Sequence, residues 1–302
     1  EKMKKIFIMY LSLALVGCGE IEERCGESYD TGGDATINIE CDEDNSTTTV
    51  SLKNWEHQSN VAFVSVGESG TIFTSDDGTS FVPRISNTTK DLIAVSHNNT
   101  TYVAVGAEGT IQTSSDGIGW YSRTSNTTKH LYGVVYGSGN FVVVGQDGII
   151  LKSQNGISWT KLNSETEKNL TEVTYGNNTF VAVGLDGTIL TSTDIDTWTS
   201  RESLTNNLLT GVSYGDGTFV AVGWNETIRT STNGITWKYN SFGTQKNIQL
   251  EFVVYKNDLF GIVGSEGNII ISLDTGESWN TTTSQTSSYL YGVTYGNELW
   301  VA

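Results

Sequence analysis

Residues 140–159 read NFVVVGQDGIILKSQNGISW, and nearly the same phrase returns at 179–198 (TFVAVGLDGTILTSTDIDTW) and at 218–237 (TFVAVGWNETIRTSTNGITW). Each copy holds a four-residue apolar run, two turn segments rich in Gly, Asp or Asn, and a final Trp. The copies begin 39 residues apart. Such repetition decides the architecture, because a recurring unit of fixed length is one structural element that packs against copies of itself.

Two landmarks extend the repeat along the chain. The Gly that closes each apolar run recurs at intervals of 39, 39, 39, 39 and 41 residues, and the aromatic residue that ends each unit recurs at 39, 39, 39, 39 and 42. The landmarks are Gly67, Gly106, Gly145, Gly184, Gly223 and Gly264, and Phe81, Trp120, Trp159, Trp198, Trp237 and Trp279. Six units are therefore complete, and a seventh begins at 290–302.

One unit contains four short strand patterns separated by turn signals, at 131–136, 140–144, 149–153 and 157–162. The second strand is apolar on both faces, as expected of a strand covered on both sides by neighbouring units. No 3.6-residue apolar period follows Cys18, which argues against helical repeats. The sequence predicts an all-β β-propeller of four-stranded blades.

We expect seven blades, because closing the ring with strands from both ends of the chain leaves no sheet edge unpaired. The N-terminal segments TINIE (36–40) and TTTVSL (47–52) would then complete the seventh blade. The alternative is a chain that continues beyond residue 302, in which an eighth blade can follow.

The composition indicates a folded chain rich in tight turns. Of the 302 residues, 37% are hydrophobic and 17% charged, with 33 Gly and one Pro. There are 17 Lys and Arg against 34 Asp and Glu, a net charge of −17. A surface this acidic repels phosphate backbones, so nucleic acid is excluded as a partner.

The first residues have the layout of a secretory signal. Lys4 and Lys5 precede an apolar run at 6–16 that is too short to span a bilayer. The run leads to Leu-Val-Gly-Cys at 15–18, which resembles the bacterial lipobox and implies that Cys18 is the lipid-bearing mature N-terminus of an exported protein, anchored at the outer membrane or cell surface. An ordinary signal peptide and a buried strand are the alternatives. The predicted domains are a signal peptide at 1–17, a lipidated N-terminus and spacer at 18–34, and the propeller at 35–302.

Export places the remaining cysteines in an oxidising compartment, so a Cys25–Cys41 disulfide is expected, with two free thiols as the alternative. His57, His97 and His130 lack the spacing of metal ligands. We therefore predict no metal site and no cofactor.

The stretch before each aromatic residue is a second repeated motif. Residues 272–279 (SLDTGESW) match the Asp-box pattern S-x-D-x-G-x-x-W, and the other units carry the same box shortened by one residue. We expect its Asp or Asn to accept backbone N–H groups across a turn, its Gly to adopt positive φ, and its aromatic ring to pack the turn against the next blade. These structural residues are Asp77, Asp116, Asn155, Asp194, Asn233 and Asp274, with Trp120, Trp159, Trp198, Trp237 and Trp279.

The resemblance to Asp-box propellers covers about 52–302, and such boxes occur in sialidase-like propellers, xyloglucanases and photosystem II assembly factors. A sialidase would imply an arginine triad, a Tyr/Glu nucleophile pair and an acid/base Asp. However, Arg84, Arg123 and Arg201 occupy equivalent outer positions in different units, and only Arg229 is placed differently. We nominate no catalytic residue.

The acids in the turn after the second strand are candidates for a binding face, because all of them lie on the side of the disc where loops join the blades. They are Glu108, Asp147, Asp186 and Glu266, with Asn225 in the equivalent place. Two carboxylates about 6.5–9.5 Å apart would suit an inverting glycosidase. The simpler interpretation is that an acid before Gly favours a β-turn.

We interpret the chain as a lipid-anchored binding or scaffolding module for a protein or glycan, with the loops at 122–130 and 200–207 as contact surface. Two rivals are a sialidase-like glycoside hydrolase and, as the assembly-factor resemblance implies, a chaperone for a membrane-protein complex. A carbohydrate-binding adhesin would instead expose aromatic residues such as Trp224 or Tyr132.

Overall fold

The structure is a computed structural model that describes residues 28–30, 36–41, 48–53, 61–240, 248–284, 286–296 and 299–302. Its contacts divide the chain into two compact units, Glu1–Ser59 and Asn60–Ala302. Residues 35–59, which the repeat pattern assigns to the propeller, fall in the first unit. The signal peptide, Cys18 and Cys25 lie outside the described residues, so lipidation and the Cys25–Cys41 disulfide stay predictions.

The first unit contains a three-stranded antiparallel meander of β1 (Ser28–Asp30), β2 (Thr36–Cys41) and β3 (Thr48–Lys53). The strands β2 and β3 pair along their whole length, from Thr36 with Lys53 to Cys41 with Thr48.

Six antiparallel sheets, termed blades 1 to 6, follow in the second unit, and consecutive strands pair within each. Blade 1 has three strands and each of the others four. Blades 1 to 3 comprise β4 Phe63–Val66, β5 Ile72–Ser75, β6 Val82–Arg84; β7 Leu92–His97, β8 Tyr102–Gly106, β9 Ile111–Ser114, β10 Tyr121–Arg123; β11 Leu131–Gly137, β12 Asn140–Gly145, β13 Ile150–Ser153 and β14 Thr160–Leu162.

Blades 4 to 6 repeat the same arrangement, and a two-stranded hairpin begins the seventh sequence repeat. These strands are β15 Leu170–Gly176, β16 Thr179–Gly184, β17 Ile189–Ser192, β18 Thr199–Arg201; β19 Leu209–Gly215, β20 Thr218–Gly223, β21 Thr227–Ser231, β22 Lys238–Asn240; β23 Leu250–Lys256, β24 Leu259–Gly264, β25 Asn268–Ser272, β26 Asn280–Thr283; and, in the hairpin, β27 Thr294–Gly296 and β28 Leu299–Val301.

The prediction of seven blades is wrong, because the described strands form six blades and a hairpin. The N-terminal segments expected to complete a seventh blade, β2 and β3, form a sheet with β1, whereas β27 and β28 form a separate sheet. Their ladder hydrogen bonds are therefore made within the meander.

The fourth strand of each unit starts later than predicted. In blade 3 it begins at Thr160, after Trp159. The Asn155 side chain explains the difference, because its Oδ1 accepts the N–H of Ile157 at 2.9 Å and that of Ser158 at 3.1 Å. Those amides belong to the turn, so the sheet ladder can begin only after it.

The core lies between blades. Trp159 of blade 3 packs in one buried cluster with Val103, Val105 and Ile111 of blade 2, and the later blades repeat this arrangement. Each aromatic residue thus covers the preceding blade, and the expectation that it covers the next one is wrong. The turn Gly156 lies on the same side, since a Cβ placed there would be 3.0 Å from the Val103 side chain.

Phe81 of blade 1 differs from its counterparts. It is 38% exposed, whereas Trp120 of blade 2 is 1% exposed and packs on Ile72 of blade 1. Among the described residues no blade precedes blade 1 in the chain, which explains the exposed ring.

In every four-stranded blade, one end of the strands carries both the turn between strands two and three and the loop to the next blade. In blade 3 the register pairs Leu131 with Gly145 and Ile150 with Leu162. The start of the first strand, the turn between strands two and three, and the loop to the next blade therefore lie together. We term the surface formed by these edges the loop face; the Asp-box turns lie at the opposite edge.

Candidate functional site

The turn between strands two and three forms the loop face of each blade. In blades 2, 3, 4 and 6 it is a single 3₁₀ turn whose middle residue is left-handed, with φ between 53° and 58°. The next loop clamps this turn, because a Cβ on Gly148 would lie 2.1 Å from the Thr166 carbonyl oxygen. The middle residues are the predicted candidate acids Glu108, Asp147, Asp186 and Glu266.

Lysines from the joining loops pair with three of these acids. Lys90 Nζ lies 2.6 Å from Glu108 Oε2, and Lys129 and Lys168 pair in the same way with Asp147 and Asp186. All six side chains are about half exposed, so each pair contributes little stability. Three of the four candidate acids thus form ion pairs with lysine, which disfavours their use as a glycosidase acid and base.

Blades 5 and 6 depart from this pattern. In blade 5, Asn225 Nδ2 donates to Asn207 Oδ1 at 3.1 Å, so two neutral amides replace the ion pair. In blade 6 the repeat places Ile248 where blades 2 to 4 have lysine. At this repeat position, blades 5 and 6 therefore have no lysine.

The Asp-box residues act within their own turns. Asp77 Oδ1 accepts the N–H of Thr79 at 2.8 Å and of Ser80 at 2.7 Å. These hydrogen bonds hold the pKa of Asp77 well below its usual range. The equivalent bonds lower the pKa of Asp274 to about 2, where Ser278 is the main donor. The carboxylates are occupied one per blade and do not converge on a ligand.

The longer box of blade 6 leaves its indole without a partner. The indoles of Trp120, Trp159, Trp198 and Trp237 donate to the carbonyl oxygen three residues earlier, at 2.8–3.0 Å. The corresponding oxygen in blade 6, of Gly276, accepts Asn240 Nδ2 at 2.8 Å instead. Trp279 Nε1 is consequently buried and unpaired among the described residues.

Three large apolar side chains are exposed on the loop face where the loop at 202–208 lies between blades 4 and 5. Leu185, Leu204 and Trp224 are 39%, 54% and 42% exposed. Leu204 is left-handed, with φ 59°, at the position that earlier loops fill with Asn87, Asn126 and Glu165. A left-handed leucine that faces solvent has a conformational cost without burial in return, which marks it for function. We term these residues the apolar patch.

Neighbouring groups hold the patch rigidly. The buried Arg229 donates from Nε to the Ser203 carbonyl at 2.8 Å and from Nη2 to the Leu204 carbonyl at 2.9 Å. Its guanidinium stacks over Tyr239, with the carbon 4.9 Å from the ring centroid. The Trp224 N–H donates to the Leu208 carbonyl at 3.0 Å. The sequence set Arg229 apart from the other arginines, and the structure assigns it to the loop.

The other arginines do not converge. Arg84, Arg123 and Arg201 each donate Nε to a threonine on the neighbouring strand of the same blade, at 2.7–2.8 Å. One such interaction per blade gives no shared anion site.

Two glutamates on first strands have a raised pKa. Burial raises the pKa of Glu172 to about 8, offset only in part by the Val173 N–H. The side chain lies over Gly133 of the neighbouring blade, where an added Cβ would be 2.8 Å from Glu172 Oε1. Burial also raises the pKa of Glu251, and a hydrogen bond from the Trp224 side chain opposes that shift. The sequence interpretation missed both residues.

The predicted adhesin aromatics, Trp224 and Tyr132, both lie on the loop face, in different sectors. Tyr132 is half-buried and stacks on His130 with ring centroids 6.2 Å apart. Burial and the charge of Asp147 raise the pKa of Tyr132.

Across the described ranges, no group of three or more His, Cys, Asp or Glu side chains is arranged to hold a metal ion. In those same ranges, no helix has the length and apolar character needed to cross a bilayer.

Searches against protein families and against curated proteins find no match for the chain. Solved structures do match. YCF48 from Cyanidioschyzon merolae superposes with a TM-score of 0.62 at 16% identity, covering 90% of this chain and 93% of that one. The chain is a β-propeller. YCF48 bound to D1 peptide gives 0.52 at 18% identity over 64% and 67%, and the WD40 β-propeller domain of Doa1 gives 0.55 at 16% over 77% of each chain. At these identities the likeness shows the fold alone, and it confirms the predicted propeller of four-stranded blades.

Proposed function

We propose that the chain is an exported, lipid-anchored propeller that binds a protein partner through the loop face and acts as a scaffold or assembly factor. The observation that carries the proposal is the apolar patch of Leu185, Leu204 and Trp224. Large apolar side chains exposed together on a rigid surface are typical of protein interaction sites.

The patch is already ordered for binding. Its three residues lie on the turn at 185–187, the loop at 202–208 and the turn that begins at Trp224. Hydrogen bonds join the loop to the Trp224 turn, and the loop packs closely on the other turn, where a Cβ on Gly187 would lie 2.0 Å from the Thr205 carbonyl oxygen. Arg229 fixes the two peptide carbonyl groups that flank the Cα atom of Leu204. A partner would therefore lose little free energy in ordering this surface.

One of the similar structures supports a protein ligand, because it is YCF48 bound to a D1 peptide. The shared fold offers the same kind of loop surface for such a ligand. The choice of the loop face for this chain rests on the patch.

The anchor is supported by the N-terminal sequence. Lys4, Lys5 and the apolar run at 6–16 lead directly to Leu-Val-Gly-Cys at 15–18. Two or more acyl chains would hold Cys18 firmly on a membrane surface, since each buried CH₂ contributes about 0.8 kcal/mol. Replacing Cys18 by Ser in the full chain should abolish labelling by an alkyne fatty acid and move the protein out of the membrane fraction. A labelled, membrane-bound Cys18→Ser protein would contradict this part of the proposal.

Site-specific photocrosslinking in cells that express the full chain tests the binding face. A photoreactive phenylalanine derivative at Leu204 or Leu185 should yield a discrete protein adduct. The same probe at Asp216, in a turn at the opposite edge of blade 5, should yield none. In addition, Trp224→Ala should reduce the Leu204 adduct.

Equal adducts from Leu204 and Asp216, or a Leu204 adduct that Trp224→Ala leaves unchanged, would refute the loop face as the binding site. Adducts that consist of glycan instead of protein would refute a protein partner and favour the adhesin alternative.

A further inference from the structure

The loop face at blades 5 and 6 contains a second feature, beside the patch. The turn of blade 5 reaches the start of β23 in blade 6, because the Glu226 N–H donates to the Ile248 carbonyl at 2.9 Å. From this turn the Trp224 side chain donates a hydrogen bond to Glu251, near the start of β23. The exposed indole thus lies beside a half-buried carboxylate.

Further aromatic residues approach the same strand from the segment that follows blade 6. Tyr289 donates its hydroxyl to Gln249 Oε1 at 3.3 Å, and Gln249 lies two residues before Glu251. Tyr289 and Tyr291 stack with their ring centroids 5.8 Å apart, and both are exposed. Aromatic side chains therefore reach the start of β23 from the two neighbouring units.

Glu251 is unusual at its repeat position. In blades 4 and 5 that position holds Thr171 and Thr210, whose hydroxyls donate to the carbonyl oxygens of Leu209 and Leu250 in the following blade, each at 2.6 Å. A glutamate has no hydroxyl to donate, so here a bridge between blades is replaced by a charge at the binding surface.

The negative charge of Glu251 is only partly compensated by its surroundings. Burial disfavours the ionised form of Glu251, and among the described residues only the neutral Trp224 donor opposes this effect. The repeat supplies Lys90, Lys129 and Lys168 to the acids of blades 2 to 4, but Ile248 stands at the corresponding place in blade 6. A cation brought by a ligand would favour the ionised form of Glu251, as a nearby opposite charge does.

We propose that Trp224, Glu251 and Tyr289 form a subsite for one basic side chain of the protein partner, preferably arginine. Arginine suits it because a guanidinium can stack on an aromatic face while it donates to a carboxylate. The net charge of −17 favours the approach of such a ligand. The inference rests on the proposed function and deepens it, since the apolar patch and this subsite share Trp224.

The test uses the detergent-solubilised full chain, whose eight tryptophans are replaced by 5-fluorotryptophan. Fluorine NMR follows the indoles during titration with N-acetyl-arginine amide or with N-acetyl-citrulline amide, its neutral analogue. The Trp224 signal is assigned from its loss in Trp224→Phe. It should shift saturably with the arginine probe and stay in place with the citrulline probe.

Glu251→Gln should weaken the binding of the arginine probe roughly tenfold, as expected for a lost charge interaction of about 1.4 kcal/mol. Glu108→Gln is the matched control, because it removes the same charge from a lysine-paired position on the same face. It should leave the affinity for the probe unchanged.

Equal shifts with citrulline, or equal affinity in the two glutamine variants, would overturn the subsite. If this happens while the Leu204 crosslink persists, the subsite is wrong and the loop-face function stands. If the arginine probe binds as expected but no crosslink forms, the subsite stands and the protein-binding function is wrong.

Discussion

Replacing Glu172 by Gln should stabilise the protein at alkaline pH. The carboxyl group lies between β15 and Gly133 of the neighbouring blade, and burial raises its pKa from 4.5 to about 8. The folded protein therefore binds this proton more tightly than the unfolded chain does. The stabilising contribution is complete below the unfolded pKa and is lost as the pH rises through the folded pKa.

The size of the effect follows from the difference between the folded and unfolded pKa values of Glu172. A pKa change of one unit corresponds to about 1.4 kcal/mol, so a pKa raised from 4.5 to about 8 implies a loss of about 5 kcal/mol above pH 9. Between pH 6 and pH 9 the loss is about 3 kcal/mol, and the residual exposure of the side chain should reduce it to about 1–3 kcal/mol. Glutamine has the same shape, retains the acceptor for the Val173 N–H, and does not titrate.

Urea denaturation of the full chain at pH 6 and pH 9 measures this difference. Wild type should lose more unfolding free energy than Glu172→Gln over that range, by the amount given above. Glu108→Gln, at an exposed surface pair, should follow wild type. If Glu172→Gln shows the same pH dependence as wild type, the carboxyl group is not held protonated between the blades.

Three further predictions concern the packing. Gly148→Ala should lower the free energy of unfolding by roughly 3 kcal/mol or more, because its Cβ would lie 2.1 Å from the Thr166 carbonyl oxygen. Gly217→Ala, with φ 78° and open space around the Cβ, should lower it by about 1–2 kcal/mol. Urea denaturation measures both changes, and equal values would refute the clamp. Trp159→Phe should lose about 1 kcal/mol more than Trp279→Phe, since only Trp159 has an indole hydrogen bond to lose, and a calorimetric comparison with the opposite order would contradict this. Arg229→Met should destabilise by about 3 kcal/mol by leaving three carbonyl oxygens without their donor, against about 1 kcal/mol for Arg123→Met; equal melting temperatures would show that the buried guanidinium is dispensable.

The repeat predicted the blade because its determinants are local. Apolar runs such as 141–144, the Gly turns and the Asp-box residues act within one unit, so spacing and residue type were sufficient. The late start of the fourth strand was missed because the Asn155 side chain competes with the sheet for the amides of Ile157 and Ser158.

Relations between units were harder to predict. A regular spacing is the same in both directions along the chain, so it could not show that Trp159 packs on the preceding blade. The blade count failed because strands can pair with any suitable edge, and the sequence does not show that β2 and β3 form a sheet with β1 instead of with the β27–β28 hairpin.

Parts of the candidate site left signals that a comparison of the units could have found. The lysines at 90, 129 and 168 each precede an acid by 18 residues. Leu204 stands where other loops have Asn or Glu, and Glu172 stands where blades 3 and 5 have Gly133 and Gly211. Burial of Glu172 and the approach of Trp224 to Glu251 depend on packing between blades, which the sequence does not display.

The direction of aromatic packing makes the blades unequal neighbours. Each tryptophan belongs to one blade but covers the core of the blade before it, as Trp198 does for Val142, Val144 and Ile150. Damage to a blade therefore acts on the blade before it in the chain, which loses its cover. In such an array the stability of each blade depends on the blade that follows it. A fragment truncated at its C-terminal side would therefore unfold first at the newly uncovered blade and then toward the N-terminus.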